Sequence, residues 1–287
     1  MRMNTSEPFP APDLQRFALS QCDALFAAVL VHDDLYPEAR LPDVIQLNYS
    51  RQQLATCYYL CRQLWLEGVE RRALQEMIVA IQARHALPPE QQLAFKYVRA
   101  KFKHLRFAFV ACDERHRYPL VFHWLTGIMG NLQDAVKNKH GGAVRRAALV
   151  SRLLLSRLPF ALLTREINRF QPSTTASFRR YVQQQIAFIS GHLSREKVTS
   201  KEFHEMRKVI SRLVALYDNL KILFPSPDHD SISRYLSTLN GLMGSYHDEL
   251  ISKKFTGSHD YYADAFAIPA DIRLRLGVMT EKFARAE

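Results

Sequence analysis

The stretch that decides the fold is residues 95–106, FKYVRAKFKHLR. On an α-helix, where successive residues turn by about 100°, its aromatic and aliphatic side chains fall on one stripe. The cations of the same stretch form a second stripe beside the first: Lys96, Arg99, Lys103 and Arg106. One face of this helix is therefore predicted to enter the core, with a row of positive charges along its edge.

The same design returns at residues 203–212, FHEMRKVISR. Its apolar stripe repeats that of the first stretch, beginning with Phe203 and Met206. The places of Lys96, Arg99 and His104 in the first stretch are taken by His204, Arg207 and Arg212. Lys208 adds a further cation. We interpret the rest of the chain as support for these two helices.

The positive charge of the chain is concentrated in its middle. The 287 residues carry a net charge of +11, yet residues 91–212 contain 23 Lys and Arg against seven Asp and Glu. The segments before and after are slightly acidic. A concentrated basic segment indicates a binding site for a polyanion, whereas a solvated charged face without a ligand is the plainer interpretation.

The composition is that of an ordinary globular protein, with 47% hydrophobic and 23% charged residues. The length suits one large domain or two small ones. No run of 18 apolar residues occurs, and the first residues lack the apolar core of a signal peptide, so we expect a cytoplasmic protein without a membrane partner. The cysteines show no CxxC pair and are predicted to be reduced and buried: Cys22, Cys57, Cys61 and Cys112.

Few glycines and little β-branched alternation predict an all-α fold. The predicted helices cover residues 13–32, 50–68, 69–87, 95–112, 118–139, a segment from 143 that Pro159 splits, 174–193, 199–224, 232–255 and a last one from 270. Residues 33–48 and the sequence PSPDHDS at 225–231 are predicted loops. Gly141 and Gly142 are expected to break the chain.

An internal repeat extends beyond the two basic stretches. LTGIMGNLQD at 125–134 and LNGLMGSYHD at 239–248 share Leu, Gly, Met, Gly and Asp at matching places. A glycine inside a helix costs about 1 kcal/mol relative to alanine, so paired glycines indicate close approach of a neighbouring group. We predict two four-helix-type bundles, residues 1–140 and 141–287, related by a pseudo-twofold axis and facing each other across a basic groove.

These patterns together resemble the CHAD family, whose name means conserved histidine α-helical domain. The resemblance covers most of the chain and is clearest at 95–136 and 203–250. Where the family has histidine, the first copy has Lys96 and the second has His204. Ser211 and Val214 replace basic residues in the second copy, and Gln133 and His247 replace an arginine. The resemblance implies two helical bundles with a basic groove that binds inorganic polyphosphate, and association with polyphosphate or storage granules.

The predicted polyphosphate ligands are Lys96, Arg99, Lys103, His104, Arg106, His204, Arg207, Lys208 and Arg212. Arginine forks bind phosphate oxygens in pairs, and lysine adds point charges. Asp134 and Asp248 are expected to hold a cation of the stripe in place, unless they are plain surface acids. Further arginines are expected to widen the basic surface: Arg145, Arg146, Arg152, Arg179 and Arg180.

Two other functions stay open at this point. Nucleic acid is the rival polyanion, although the aromatic residues of the first stretch fall on its apolar stripe rather than between the cations. His-Asp dipeptides also suggest a metal-dependent phosphohydrolase of the HD type: His32-Asp33, His229-Asp230, His247-Asp248 and His259-Asp260. Since no P-loop, HExxH or GxSxG occurs, we predict a binding protein that is not an enzyme and has no cofactor or metal.

Overall fold

The computed structural model describes residues 16–84 and 88–286, and its fold is all-α as predicted. The described helices, in chain order, are α1 Leu19–Leu30, α2 Arg51–Gly68, α3 Arg71–Arg84, α4 Pro89–Cys112, α5 Leu120–Lys137, α6 Gly141–Leu154, α7 Arg157–Asn168, α8 Thr175–Leu193, α9 Ser200–Leu223, α10 Pro227–Thr256 and α11 Ala270–Ala284. Two short strands, β1 Val198–Thr199 and β2 Ala265–Phe266, pair antiparallel.

Capping side chains fix the starts of two long helices at the predicted positions. Ser50 Oγ accepts from the Gln53 backbone N–H at 3.2 Å, and Gln53 Oε1 accepts from the Ser50 N–H at 2.9 Å. Thr199 and Glu202 make the same reciprocal pair at the start of α9. Each cap satisfies backbone donors that the first helical turn leaves open, and contributes about 1 kcal/mol.

Several predicted boundaries are corrected. Gly141 and Gly142 do not break the chain but begin α6. The predicted loop at 225–231 shrinks to two residues, because Ser226 caps α10 and Pro227 occupies its first turn. The chain is broken before Pro159, which lies in the first turn of α7. The predicted helix start at residue 13 and residues 85–87 of the third predicted helix lie outside the described residues.

The core lies around α4 and α9. The apolar stripes of both helices are buried as predicted, with Phe102 and Phe203 fully enclosed. Helix α4 packs against α2, α5 and α9, while α9 packs against α10 and α1. Burial of such rings is worth several kcal/mol, so the two stripes tie the helices together and fix which faces remain for the cations.

The helices after residue 140 do not all pack with the second half. Helix α6 packs against α5 and α3, and α7 packs against α5, all helices of the first predicted half. Helices α8 to α11 pack mainly with one another. The helices thus change packing partners near residue 170, and both the division at residue 140 and the pseudo-twofold axis stay predictions.

The four cysteines are free and buried, in agreement with the sequence prediction. Among the described residues, no single helix has both the length and the apolarity to cross a membrane, whereas α6 and α7 taken together pass that test with a bend of 71° between them.

Candidate functional site: a cationic cleft between α4 and α9

Five cations of α4 and α9 lie so close together that their charges lower the pKa values of several members of the set. We call this set the cationic cluster: Arg99, Lys103, Arg106, Arg207 and Arg212. The pKa of Lys103 is lowered to about 7, by burial first and then by the charges of Arg99, Arg207 and Arg106 in that order. Burial also lowers the pKa of Arg106 to about 10, with Arg99 and Arg212 adding to the effect. The two predicted stripes therefore face one another.

Glycines make room for two arginines of the cluster. A β-carbon added to Gly130 of α5 would lie 2.9 Å from Arg99 Nη2, and one added to Gly244 of α10 would lie 2.8 Å from Arg207 Nη2. These are the second glycines of the two repeated blocks. Each guanidinium thus lies directly against the backbone of the next helix, which gives the paired glycines a physical reason.

Several buried nitrogen atoms of the cleft have no hydrogen-bond partner. They include the Nε atoms of four arginines that the two basic helices supply in pairs: Arg99, Arg106, Arg207 and Arg212. An unsatisfied buried donor costs about 1–3 kcal/mol, and more when it is charged. The two basic helices thus hold four charged donors that the described residues leave unsatisfied, and a bound anion would offset the cost of burying these charges.

Arg106 and Arg212 are also held by polar side chains of neighbouring elements. Arg212 Nη1 donates to Tyr118 Oη at 2.9 Å, and its Nη2 donates to Gln185 of α8. The Arg106 guanidinium lies over the Tyr118 ring at 5.3 Å. His123 stacks on the same ring, and its Nδ1 lies 3.4 Å from Arg106 Nη1. These contacts orient the two guanidinium groups before any ligand arrives.

Lys103 is held by the segment that follows α1. Its Nζ lies 3.4 Å from His32 Nε2. Residues 31–36 are fastened to α10, where Asn240 Nδ2 donates to the His32 carbonyl at 3.0 Å and Ser237 Oγ donates to the Asp34 carbonyl at 3.0 Å. Gly241 lets this segment approach, since an added β-carbon would lie 2.2 Å from the Asp33 carbonyl oxygen.

A pair of histidines, His204 of α9 and His247 of α10, lies beside the cluster. The rings of His204 and His247 stack with centroids 4.5 Å apart. Burial lowers the pKa of His204 to about 4 and that of His247 to about 3, with nearby cations adding to both shifts. Lys208 pairs with Glu205 at 2.6 Å. His204 is thus neutral at pH 7 in the free protein, and its buried Nδ1 has no partner.

The two predicted acids lie near the arginines of the matching copy. Burial lowers the pKa of Arg99, and Asp134 raises it in part; Asp248 has the same effect on Arg207. Asp248 is exposed and pairs with Lys137 at 3.3 Å. Both acids act on the arginines through their charge.

The structure corrects the prediction for His104. Its ring is buried, with only 5% exposed, and its Nε2 lies 3.2 Å from Asn219 Nδ2. Burial lowers the pKa of His104 to about 3. Because the ring is buried and carries no positive charge at neutral pH, we leave it out of the proposed site. Lys96, by contrast, is exposed at the mouth of the cleft.

The outer arginines do not form one surface with the cluster. Arg152 Nη1 donates to Gln82 of α3 at 2.9 Å, and Arg179 Nη2 donates to the Ala286 carbonyl at 3.1 Å. Arg146 lines a separate surface cleft with Lys139 and Lys254. Arg145 and Arg180 are exposed. The expectation that these arginines extend the groove gains no support from the contacts of Arg152 and Arg179.

The sequence patterns did not predict four residues that contact the cluster from other elements: His32, Tyr118, His123 and Gln185. His32 was noted only as part of a His-Asp dipeptide. The four dipeptides lie in different surroundings; His229, for example, bonds with Tyr49 and the Phe224 carbonyl. Within the described residues, no group of three or more His, Cys, Asp or Glu side chains is placed to hold a metal ion.

No family model, no curated protein and no solved structure matches the chain. The resemblance to the CHAD family therefore rests on the residues quoted from the sequence. Independently of it, the arrangement has a clear chemical capacity: several guanidinium groups and an amine, largely shielded from water, converge on one cleft. Such a cleft binds a multiply charged anion more strongly than the same groups would in open solvent.

Proposed function

We propose that the chain is a non-catalytic binding protein for inorganic polyphosphate or a similar linear polyanion. The observation that carries the proposal is the set of four buried arginine Nε atoms without partners, two from α4 and two from α9. The same function is implied by the resemblance to the CHAD family. In this proposal, residues of both helices contact one ligand.

Polyphosphate fits the cleft better than nucleic acid because of what lies beside the cations. The aromatic rings of the α4 stripe, Phe95, Phe102 and Phe109, are buried and offer no surface for stacking with bases. A phosphate chain needs no stacking surface and presents charged oxygens at every unit. The side chains proposed to contact it are Lys96, Arg99, Lys103, Arg106, His204, Arg207, Lys208 and Arg212.

The test is a competition titration at fixed salt between long-chain polyphosphate, single-stranded RNA and duplex DNA of equal total charge. We expect polyphosphate to displace both nucleic acids, and its affinity to fall steeply as salt rises, because counterion release drives the binding of polyanions. Chelator should leave binding unchanged. If RNA binds more tightly than polyphosphate at matched salt, the nucleic-acid alternative replaces this proposal.

A further inference from the structure

A small cavity with one charged wall and one apolar wall lies beside Lys103. Its volume is about 90 Å³, and it is formed by the end of α1 together with α4, α5 and α9. The charged lining includes the cations Lys96, Arg99 and Lys103 and the carboxylates Asp33 and Asp218, while Val29, Leu30, Phe107 and Val214 are among the apolar lining. Since a water molecule occupies about 30 Å³ in the liquid, the cavity suits a group of only a few heavy atoms.

The hydrogen bonds of His32 indicate that the ring nitrogen facing Lys103 carries no hydrogen atom. His32 Nδ1 bonds to the Val29 carbonyl, which can only accept, so Nδ1 carries the hydrogen atom. Nε2 of the same ring therefore presents its lone pair to Lys103 Nζ, 3.4 Å away. His32 Nε2 is placed to accept a hydrogen bond from Lys103 Nζ, and to take a proton from that nitrogen once acylation has made it acidic.

The charges around Lys103 favour its neutral amine form. Burial, followed by Arg99, Arg207 and Arg106, lowers the pKa of Lys103 to about 7, whereas the nearby Asp33 opposes this shift. A large share of the amine is therefore unprotonated at neutral pH. Lysines become nucleophiles when they are desolvated next to other cations.

We propose that Lys103 is a modification site that small acyl phosphates acylate without an enzyme. Arg99, which lines the cavity, would hold the phosphate group, and the apolar wall of the cavity would take the acyl chain. This inference rests on the anion site of the proposed function. It adds a reaction class that simple binding of an anion does not require.

The reaction balances without any further reagent. The Nζ lone pair attacks the carbonyl carbon, and the bond between that carbon and the phosphate oxygen breaks. Inorganic phosphate leaves with the bonding electron pair, and the proton lost by the amine passes to His32 Nε2 and then to phosphate or water. The product is a neutral amide at Lys103, which removes one cation from the cluster and would weaken the binding of a polyanion.

The experiment exposes the full chain to acetyl phosphate near pH 7.5 and follows the acetylation of each lysine by mass spectrometry. We expect Lys103 to react about tenfold faster than the exposed lysines, because its larger neutral fraction outweighs the lower intrinsic nucleophilicity of a weakly basic group. Tripolyphosphate should suppress the reaction at Lys103 but not at Lys201, which is exposed and is not among the proposed contacts. Acetylation of Lys103 at no more than the rate of Lys201 would overturn the inference.

Two controls test phosphate recognition and proton transfer separately. We expect a smaller preference for Lys103 with acetic anhydride, which lacks a phosphate group, than with acetyl phosphate; an equal preference would show that phosphate recognition plays no part. His32→Gln should slow acetylation of Lys103 by acetyl phosphate, and an unchanged rate would exclude the histidine as the proton acceptor.

The outcome is also distinguishable from that of the proposed function. Polyphosphate affinity is measured on the unmodified chain in a separate titration. Intact binding with unselective acetylation would reject only the acylation of Lys103. Selective acetylation that tripolyphosphate suppresses, in a chain that fails to bind long polyphosphate, would support this inference and reject the proposed ligand.

Discussion

The residues of the cationic cluster have opposite effects on the free and the bound protein. In the free chain, Lys103 lies among three arginines that lower its pKa, so the folded state holds like charges together. Such packing disfavours folding, because like charges in a partly desolvated cleft repel. A bound polyanion offsets this repulsion, because it attracts each of the cations. Binding residues of this kind should therefore be dispensable for folding.

The double variant Arg99→Ala, Lys103→Ala tests this directly. Each side chain would make charge-assisted contacts worth about 1.5–3 kcal/mol when well desolvated, and about 1.4 kcal/mol corresponds to a tenfold change in affinity. We expect polyphosphate affinity to fall at least tenfold, while the melting temperature stays unchanged or rises. Isothermal titration and thermal melts measure the two effects.

A matched double variant, Arg62→Ala with Arg72→Ala, removes the same charge from α2 and α3. It should keep its affinity for polyphosphate apart from a small long-range loss. If both double variants weaken binding equally, net charge rather than the cluster governs the interaction, and the proposed site is wrong.

Gly130→Ala tests whether the position of the Arg99 guanidinium against Gly130 matters for binding. The new β-carbon would lie 2.9 Å from Nη2, the far end of a flexible side chain, which can move away at little cost to folding. Alanine also gains up to about 1 kcal/mol of helix propensity. We expect equal or higher stability together with weaker polyphosphate binding. Gly127→Ala in the same helix has no neighbour within 4 Å and should leave affinity unchanged.

At the scale of single elements, the first glycines of the two repeated blocks have different surroundings. Gly127 of α5 is exposed, whereas Gly241 of α10 touches the segment at 31–36. Gly241→Ala would place a β-carbon 2.2 Å from the Asp33 carbonyl oxygen, and backbone must move to accept it. We expect a loss of about 1–3 kcal/mol in the free energy of unfolding, as overpacked sites show.

The measurement is chemical denaturation of Gly241→Ala beside Gly127→Ala. The second variant should be as stable as the unmodified chain or more so. Equal stability of the two would mean that the segment after α1 is not fastened to α10 as described. Because this segment carries His32, Gly241→Ala should also alter the reactivity of Lys103.

Helices with strong amphipathic stripes and good caps could be predicted from the sequence, and α2, α4 and α9 are the examples. Their stripes and the caps Ser50 and Thr199 are local signals. Residues 227–231 were misassigned as a loop, since Pro and Asp were interpreted as breakers. In the structure they form the first turn of α10, where the backbone N–H that Pro lacks would have no partner within the helix and where Asp interacts favourably with the positive end of the helix dipole.

At the scale of the whole molecule, the candidate site needed information that no local pattern contains. Periodicity predicted that Arg99 and Arg207 lie beside apolar stripes, and both flank the cleft. It could not predict that His104 is buried against Asn219, or that His32 and Tyr118 approach from distant parts of the chain. Those contacts depend on how helices pack, and packing partners are set by the tertiary fold.

The lowered pKa values of the cleft give the whole chain a pH-dependent stability. The pKa values of His32, His123 and His204 are each lowered to about 4, by burial first and nearby cations second, and that of Lys103 to about 7. Ordinary values are about 6.5 and 10.4. Between the lowered and ordinary values the unfolded chain binds more protons, so stability rises with pH.

We therefore expect the melting temperature of the free chain to rise from about pH 5 to pH 8. A bound polyanion favours the protonated forms, raises these pKa values and should flatten the profile, so that polyphosphate stabilises the chain most at the acidic end. Thermal melts with and without tripolyphosphate across this range measure both slopes. A ligand-independent profile would contradict binding at the cleft.

Arg99 packs against Gly130, and Arg207 packs against Gly244. These two contacts offer a way to identify related proteins. Where a guanidinium fills the space of a missing β-carbon, two distant positions should change together. Replacing the glycine displaces the arginine, and replacing the arginine removes the need for a glycine. Related chains should therefore keep or lose each pair as a unit. A search for two such coupled pairs, one in each half, could recover relatives whose overall identity has decayed beyond detection.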